Sequence, residues 1–228
     1  MANIVRKELI DQYKKLHDEN REYGKSSNNK IALVSHIVKR SSCRSVLDYG
    51  CGKSSLMDQL SSEIPQIEVV KYDPAIAEFS QKPDCKFDFA VCTDVMEHIP
   101  EEDVSDVLSD VHNHSELVLF VISTRPARAI LPNGQNAHAT VRDPRWWQQR
   151  LATIFGPVSL FYYNQRKQVA YYLTCNTSPA ERFRLRRLVP NRTSLVVRIG
   201  GLFAPRAIAR RCKRTVVSWT SASRGKNK

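Results

Sequence analysis

Apolar positions along the chain follow two different periods, and the change from one to the other marks out its elements. Residues 3–22 are charged and helix-favouring, with Ile4, Val5, Leu9, Ile10, Tyr13 and Leu16 at i, i+4 spacing, an apolar stripe along one helix face. Tyr23-Gly24-Lys25-Ser26-Ser27-Asn28-Asn29 ends that stretch in a turn that also supplies a helix cap. A first core helix is expected over 31–38, carrying Ile31, Leu33, Val34, Ile37 and Val38. Apolar-rich, strand-like runs then recur at 46–47, 67–72, 87–92 and 117–122, and the last, the most apolar in the chain, reads as a buried central strand. Helical sequence separates them: 56–60, which must stop near Pro65, and 101–111, followed by a polar loop at His112-Asn113-His114. A further helix at 144–155 is broken by Gly156-Pro157. Residues 158–163 and 169–175, joined by a polar turn at 164–167, predict an antiparallel hairpin. Between Asp73 and the run at 87 lie only about a dozen residues, including Pro83 and Asp84, so a third strand there is short or missing.

The chemistry gathers at Val46-Leu47-Asp48-Tyr49-Gly50-Cys51-Gly52-Lys53-Ser54-Ser55. This reads as a buried strand ending in a Gly-x-Gly turn and passing into a helix. In open α/β sheets such a junction holds a ligand, because glycine lets the backbone approach closely and the helix N-terminus offers unpaired N–H groups. Asp73, ending the next apolar run, suits the acid that accepts hydrogen bonds from ribose hydroxyls. Gly52-Lys53-Ser54 is not a phosphate loop, since the required glycine five positions earlier is Leu47. A dinucleotide fingerprint fails too, with Ser55 at the third glycine position. Asp48, two residues before the first glycine, would repel a pyrophosphate and attract the ammonium of a methionine moiety.

These residues resemble motif I of the class I S-adenosylmethionine-dependent methyltransferases, with Asp73 as the acid of motif II. Thr93-Asp94-Val95-Met96-Glu97-His98-Ile99-Pro100 resembles the Asp-x-x-Glu-His-x-Pro motif IV of the small-molecule members. The resemblance covers roughly 31–175. It implies an α/β Rossmann-like sheet, mostly parallel with a C-terminal antiparallel hairpin and a short or missing third strand. An N-terminal helix and lid (1–30) precede the core (31–176), and a basic amphipathic tail (177–228) with a disordered end follows it. The cofactor so implied is S-adenosyl-L-methionine, held by Asp48, Gly50, Cys51, Gly52, Asp73, Pro74, Thr93 and Asp94. Pro74-Ala75-Ile76 would wall the adenine, and Tyr23 and Ser26 are placed to close the site.

Acceptor binding falls to the stretch after the most apolar strand. Arg125, at that strand's end, can grip an anionic group bidentately or pair with a carboxylate of the body. Asn136 and His138 share a polar loop beyond it. His138 or His98 is the candidate base for a hydroxyl acceptor, since imidazole best matches proton transfer near neutral pH. A capping or loop-stabilising role suits His138 equally, and packing on a strand suits His98. Trp146 and Trp147 cannot share one helix face, so one packs and the other, Trp146, lines the acceptor pocket. No spacing links Glu97, His98, His112 and His114 into a ligand set, so no metal is expected.

Composition refines this in two places. Of 35 Lys and Arg residues, 14 fall within 177–228, whereas Glu181 alone of 23 acids does, so the net charge of +12 belongs to the tail. There Leu195, Val196, Ile199, Leu202, Phe203 and then Ile208, Cys212, Val216, Trp219 follow helical spacing among arginines. Such a tail suits an anionic membrane surface through 193–220; nucleic acid, or docking on a partner protein, fits the same pattern. The six cysteines lack a C-x-x-C pair and read as reduced, buried thiols. Residues 1–15 lack the apolar core of a secretory signal, and no apolar run reaches bilayer length. The expected location is cytoplasmic, with peripheral attachment to the inner face of a membrane as an option. Cys92-Thr93-Asp94-Val95 is unlike the Pro-Pro motif of DNA amino-methyltransferases, and no Pro-Cys nucleophile serves cytosine C5. A polar small molecule or sugar remains the favoured acceptor, such as a membrane-associated glycan precursor. Structured RNA is the enzymatic alternative, and a non-catalytic cofactor-binding scaffold the other.

Overall fold

The structure, a computed structural model, describes residues 6–190. Six strands form one sheet: β1 (Ser45–Tyr49), β2 (Glu68–Tyr72), β3 (Phe89–Thr93), β4 (Val118–Ser123), β5 (Ser159–Asn164) and β6 (Val169–Leu173), in the order β2-β1-β3-β4-β6-β5. β2, β1, β3 and β4 run parallel, and the β5–β6 hairpin closes the sheet by pairing β6 antiparallel to β4. No strand stands between β2 and β3 among the described residues, and β2 is therefore an edge. The 73–86 segment lacks an apolar run and makes only one short 3-10 turn, Ala77–Phe79, whose last carbonyl accepts the Asp73 N–H.

Helices cover both faces. α2 (Ile31–Ser41), α3 (Leu56–Glu63) and α6 (Pro179–Leu188) pack on one, through Leu33, Ile37, Leu56, Leu60 and Leu185 against Val46, Val91 and Val121. On the other, α4 (Val104–His114) and α5 (Pro144–Phe155) set Val107, Leu108, Trp147 and Leu151 against Leu47, Cys92 and Phe120. Every residue of β3 and β4 is buried, as continuous apolar strands covered on both faces require. α1 (Lys7–Glu19) belongs to neither layer: Leu16, with Leu9 and Tyr13 beside it, packs on Leu131 and Ala137 of the β4–α5 connection. This third, smaller cluster roofs the C-terminal ends of the parallel strands.

Three expectations change. α4 begins three residues later than expected and runs through His114, so His112-Asn113-His114 is helix rather than polar loop. His114 is buried with its ring nitrogens beside the carbonyls of Asp110 and Pro83. The boundary drawn at 176 also moves. Ser178 caps α6 by accepting from the Glu181 N–H, Pro179 takes the first helical position, and Leu185 and Val189 are buried in the core. Arg182, Arg184, Arg186 and Arg187 thus sit on the folded body, while the amphipathic sets from Leu195 to Trp219 lie outside the described residues. The five cysteines among the described residues are unpaired, but Cys85 is exposed and Cys43 and Cys175 are half-buried. No helix among the described residues is long and apolar enough to cross a membrane.

Candidate active site

The glycine turn is shaped by hydrogen bonds from both sides. Gly50 and Cys51 N–H groups both donate to the Tyr72 carbonyl (2.7 and 3.1 Å), tying the end of β1 to the end of β2. Asp73 then accepts from Gly52 N–H through Oδ2 (2.8 Å) and from Ala75 N–H through Oδ1 (2.9 Å). A carboxylate oxygen accepts more than one hydrogen bond, so Asp73, which lines the cavity, keeps lone pairs for a ligand hydroxyl.

The N-terminal segment lies directly on this turn. Lys53 N–H donates to the Gly24 carbonyl (2.9 Å), and Lys53 Nζ donates to the carbonyl of His17. Gly52 has φ +52°, and a Cβ there would stand 2.8 Å from Gly24 O, so the contact requires glycine. Farther along, the Ser27 hydroxyl bonds that of Thr93, and Lys30 Nζ donates to Ser26 O (2.6 Å) and pairs with Asp94 Oδ2 (3.6 Å). Asp94 itself is left-handed at φ +55°, a conformation that costs energy and is held here by its N–H bond to Val121 O (2.8 Å).

Between these elements lies a cavity of about 650 Å³. Gly50, Cys51, Gly52, Asp73, Pro74, Thr93 and Asp94 line one end, with Tyr23 and Ser26 above them. His98, Arg125 and His138 line the other. His98 Nδ1 lies 2.7 Å from the carbonyl of Ala137, and His138 Nδ1 lies 2.6 Å from that of Arg125. A carbonyl only accepts, so each Nδ1 carries the proton and each Nε2 keeps its lone pair. The two rings meet edge to face, with centroids 4.9 Å apart. Burial above all, reinforced by the neighbouring His138, pushes His98 down to about 4, and burial lowers His138 as well. Both imidazoles are therefore neutral at pH 7.

Three expected site residues lie outside the cavity wall. Asp48 is turned to the face shared by α2 and α3, beneath the turn, with both oxygens buried and unpartnered among the described residues. Burial, then the charge of Asp73, pushes it up to about 7. Asn136 holds the loop instead of a ligand: Oδ1 accepts from the Ala127 and His138 N–H groups, and Nδ2 donates to Ala127 O. Trp146 is half-buried at the edge of the core rather than in the cavity wall, its ring edge-on to Trp147 and 5.7 and 5.1 Å from the Arg142 and Arg150 guanidiniums; Trp147 is fully buried beside it.

Other residues of the site escape a sequence reading. His17 lines the cavity with its buried Nδ1 unpartnered among the described residues, its ring 5.0 Å from that of Tyr23. Its one sequence signal is the i, i+4 step from Tyr13. Tyr13 donates its hydroxyl to Ala137 O (2.6 Å), beside His98. Glu97, inside the motif, does not reach the cavity. It is fully buried, its Oε1 accepts from Ser123 N–H (2.7 Å), joining the end of β3 to that of β4, and burial raises its carboxyl well above the usual range.

A parallel Rossmann-like sheet closed by an antiparallel hairpin, with its ligand crevice at a glycine turn, is the architecture of the class I S-adenosylmethionine-dependent methyltransferases. Many solved structures share the fold, and two illustrate it. One is the mitomycin 7-O-methyltransferase MmcR, at 15% identity and TM-score 0.53 over 73% of this chain and 59% of the other. The second is an O-methyltransferase family protein from Burkholderia thailandensis, at 12% identity and TM-score 0.51 over 67% and 57%. The chain thus spans under two thirds of the length of either. No curated protein sequence matches it. The family model described as a methyltransferase domain matches residues 1–167, and the chain belongs to that family. The site fits the family's cofactor on its own terms: a turn with no room for a Cβ, an acid with spare lone pairs, and a cavity within the ~300–1,000 Å³ typical of small-ligand sites.

Proposed function

We propose that the protein transfers a methyl group from S-adenosylmethionine to a hydroxyl of a polar small molecule or sugar. The observation that carries this is the continuity of one cavity from Asp73 and the glycine turn to the paired imidazoles. Bound S-adenosylmethionine supplies an electrophilic methyl group, and its transfer to oxygen leaves S-adenosylhomocysteine. Asp73 and the backbone of 50–52 would hold the nucleoside, and Thr93 and Asp94 the methionine end. Tyr23, Ser26 and Ser27 keep water from the crevice, where alignment in a dry site provides most of the rate. His138 Nε2 takes the hydroxyl proton, because it is neutral, faces the acceptor end, and is oriented by its Nδ1–H bond to Arg125 O. His98, whose basicity is lower, orients the acceptor as a second lone pair.

Incubating the protein with methyl-labelled S-adenosylmethionine and fractionated cell extract tests this reading. Label should enter the small-molecule pool. Label confined to RNA would support structured RNA as the acceptor, with affinity supplied by the basic residues after 190. Cofactor binding without transfer to any pool would leave a scaffold. A glycan precursor at a membrane predicts label in the lipid-linked fraction and liposome binding that requires 191–228.

A further inference from the structure

The acceptor end of the cavity carries two guanidiniums that no carboxylate among the described residues pairs with. Four Lys or Arg side chains line the cavity, and two of them are satisfied nearby: Lys25 by Glu22 (2.8 Å) and Lys82 by Asp110 (2.8 Å). The other two, Arg125 and Arg128, make no ion pair among the described residues. The acids of the wall are all engaged elsewhere. Glu22 holds Lys25, Asp94 holds Lys30, and Asp73 accepts the Gly52 and Ala75 N–H groups at the opposite end.

The segment bearing the two arginines is built rather than loose. Asn136 clamps Ala127 through both its N–H and its carbonyl, Ala137 N–H donates to Ala129 O (3.1 Å), and His138 holds the Arg125 carbonyl. Arg125 and Arg128 are thus presented from one fixed loop, on the same side as the two neutral imidazoles. Guanidinium binds carboxylate and phosphoryl groups through two parallel N–H bonds, which fixes orientation as well as charge.

We propose that the acceptor is an anion: a hydroxylated molecule whose separate carboxylate or phosphoryl group is held by Arg125 and Arg128, so that its hydroxyl falls at His138. This deepens the methyltransferase reading and rests on it. Neutral sugars and unmodified alcohols would leave both guanidiniums without a counter-charge and are poor substrates.

Inorganic phosphate is the probe, titrated against the full-length protein with and without S-adenosylhomocysteine and read by thermal denaturation. Phosphate should raise the melting temperature of the wild type, and Arg125→Gln combined with Arg128→Gln should weaken its apparent affinity at least tenfold while S-adenosylhomocysteine binds as before. Should the Arg125 substitution prevent folding, Arg128→Gln alone, on an exposed side chain, should still weaken phosphate severalfold. In extract, the methyl-labelled product should be retained on an anion exchanger. Equal phosphate affinity in wild type and variants, or a labelled product that passes through the exchanger, overturns the proposal. So does a matching loss of S-adenosylhomocysteine affinity in the variants, which would assign the arginines to the cofactor's own carboxylate. Failure of the wild type to bind S-adenosylhomocysteine is a different result, and removes the methyltransferase reading itself.

Discussion

Replacing Gly52 by alanine tests whether the N-terminal segment closes the site through the glycine turn. Two costs arise and they report differently. The residue keeps φ +52°, which strains an L side chain by about 1–2 kcal/mol whatever surrounds it. That strain is present with or without ligand, and it lowers the melting temperature by roughly 2–8 °C for a domain of this size. The second cost comes from the new Cβ, 2.8 Å from Gly24 O and 3.0 Å from Gly24 Cα. A backbone atom cannot swing aside, so the segment must lift and lose the 2.9 Å Lys53 N–H bond to Gly24 O. Forcing one methyl into such a contact costs about 1–3 kcal/mol. If the ligand needs the closed segment, affinity falls about five- to 150-fold. Gly134→Ala is the control, since it shares a positive φ (+84°) but has nothing within 4 Å of the added Cβ. Calorimetry with S-adenosylhomocysteine and a thermal melt on each variant separate the two costs. A larger melting loss together with weak binding in Gly52→Ala, against a strain-only melting loss with normal binding in Gly134→Ala, is expected. Equal affinity in the two variants would refute the closing role of the segment.

Three further outcomes follow from the same geometry. Asp73→Asn turns an acceptor into a donor facing the Gly52 or Ala75 N–H, in addition to losing the ribose contacts. Calorimetry should show S-adenosylhomocysteine affinity falling at least tenfold, about 1.5–3 kcal/mol per lost hydrogen bond to a charged group; unchanged affinity contradicts the assignment. His138→Ala should lower kcat about 10²- to 10⁴-fold and leave S-adenosylhomocysteine binding intact. Because burial depresses His138, the acid limb of the wild-type rate profile should lie below pH 6.5, and a limb above that value excludes His138 as the base. For Asp48, pushed up to about 7 from 3.8, the folded protein keeps a proton that the unfolded chain releases. Stability therefore falls as pH rises from 4 to 7, by at most about 4 kcal/mol. Asp48→Asn should flatten urea-derived stability across that window, and an unaltered slope would show the carboxyl ionised throughout.

Much of this was legible because it is local. The stretches Phe89–Cys92 and Leu117–Ile122 are apolar without alternation, which is how strands covered on both faces must read, whereas the edge strand β2 carries Glu68 and Lys71 and is only partly buried. The glycine spacing and Asp73 then fix one edge of the sheet as the crevice. The roof was not legible, because it joins residues far apart in sequence: Tyr13 to Ala137, Leu16 to Leu131, Lys53 to His17. No period within α1 says which loop its stripe will meet. Two misreadings had usable signals. Ser178-Pro179-Ala180-Glu181 is a helix start by its cap and its proline, yet the arginines beyond it read as a tail. Trp146 has Arg142 and Arg150 four residues away on either side, a signal that its ring sits at the edge of the core under two guanidiniums rather than in a pocket. Asn136 shows a limit of another kind. An amide beside a candidate base can serve a ligand or its own loop, and here the clamp on Ala127 decides for the loop.

The central claim is that the cavity over Asp73 holds S-adenosylmethionine. Titrating the full-length chain with S-adenosylhomocysteine in a calorimeter tests it most directly. Saturable binding of one ligand per chain is expected, and the absence of binding heat at millimolar ligand, confirmed by an unshifted thermal melt, would contradict it.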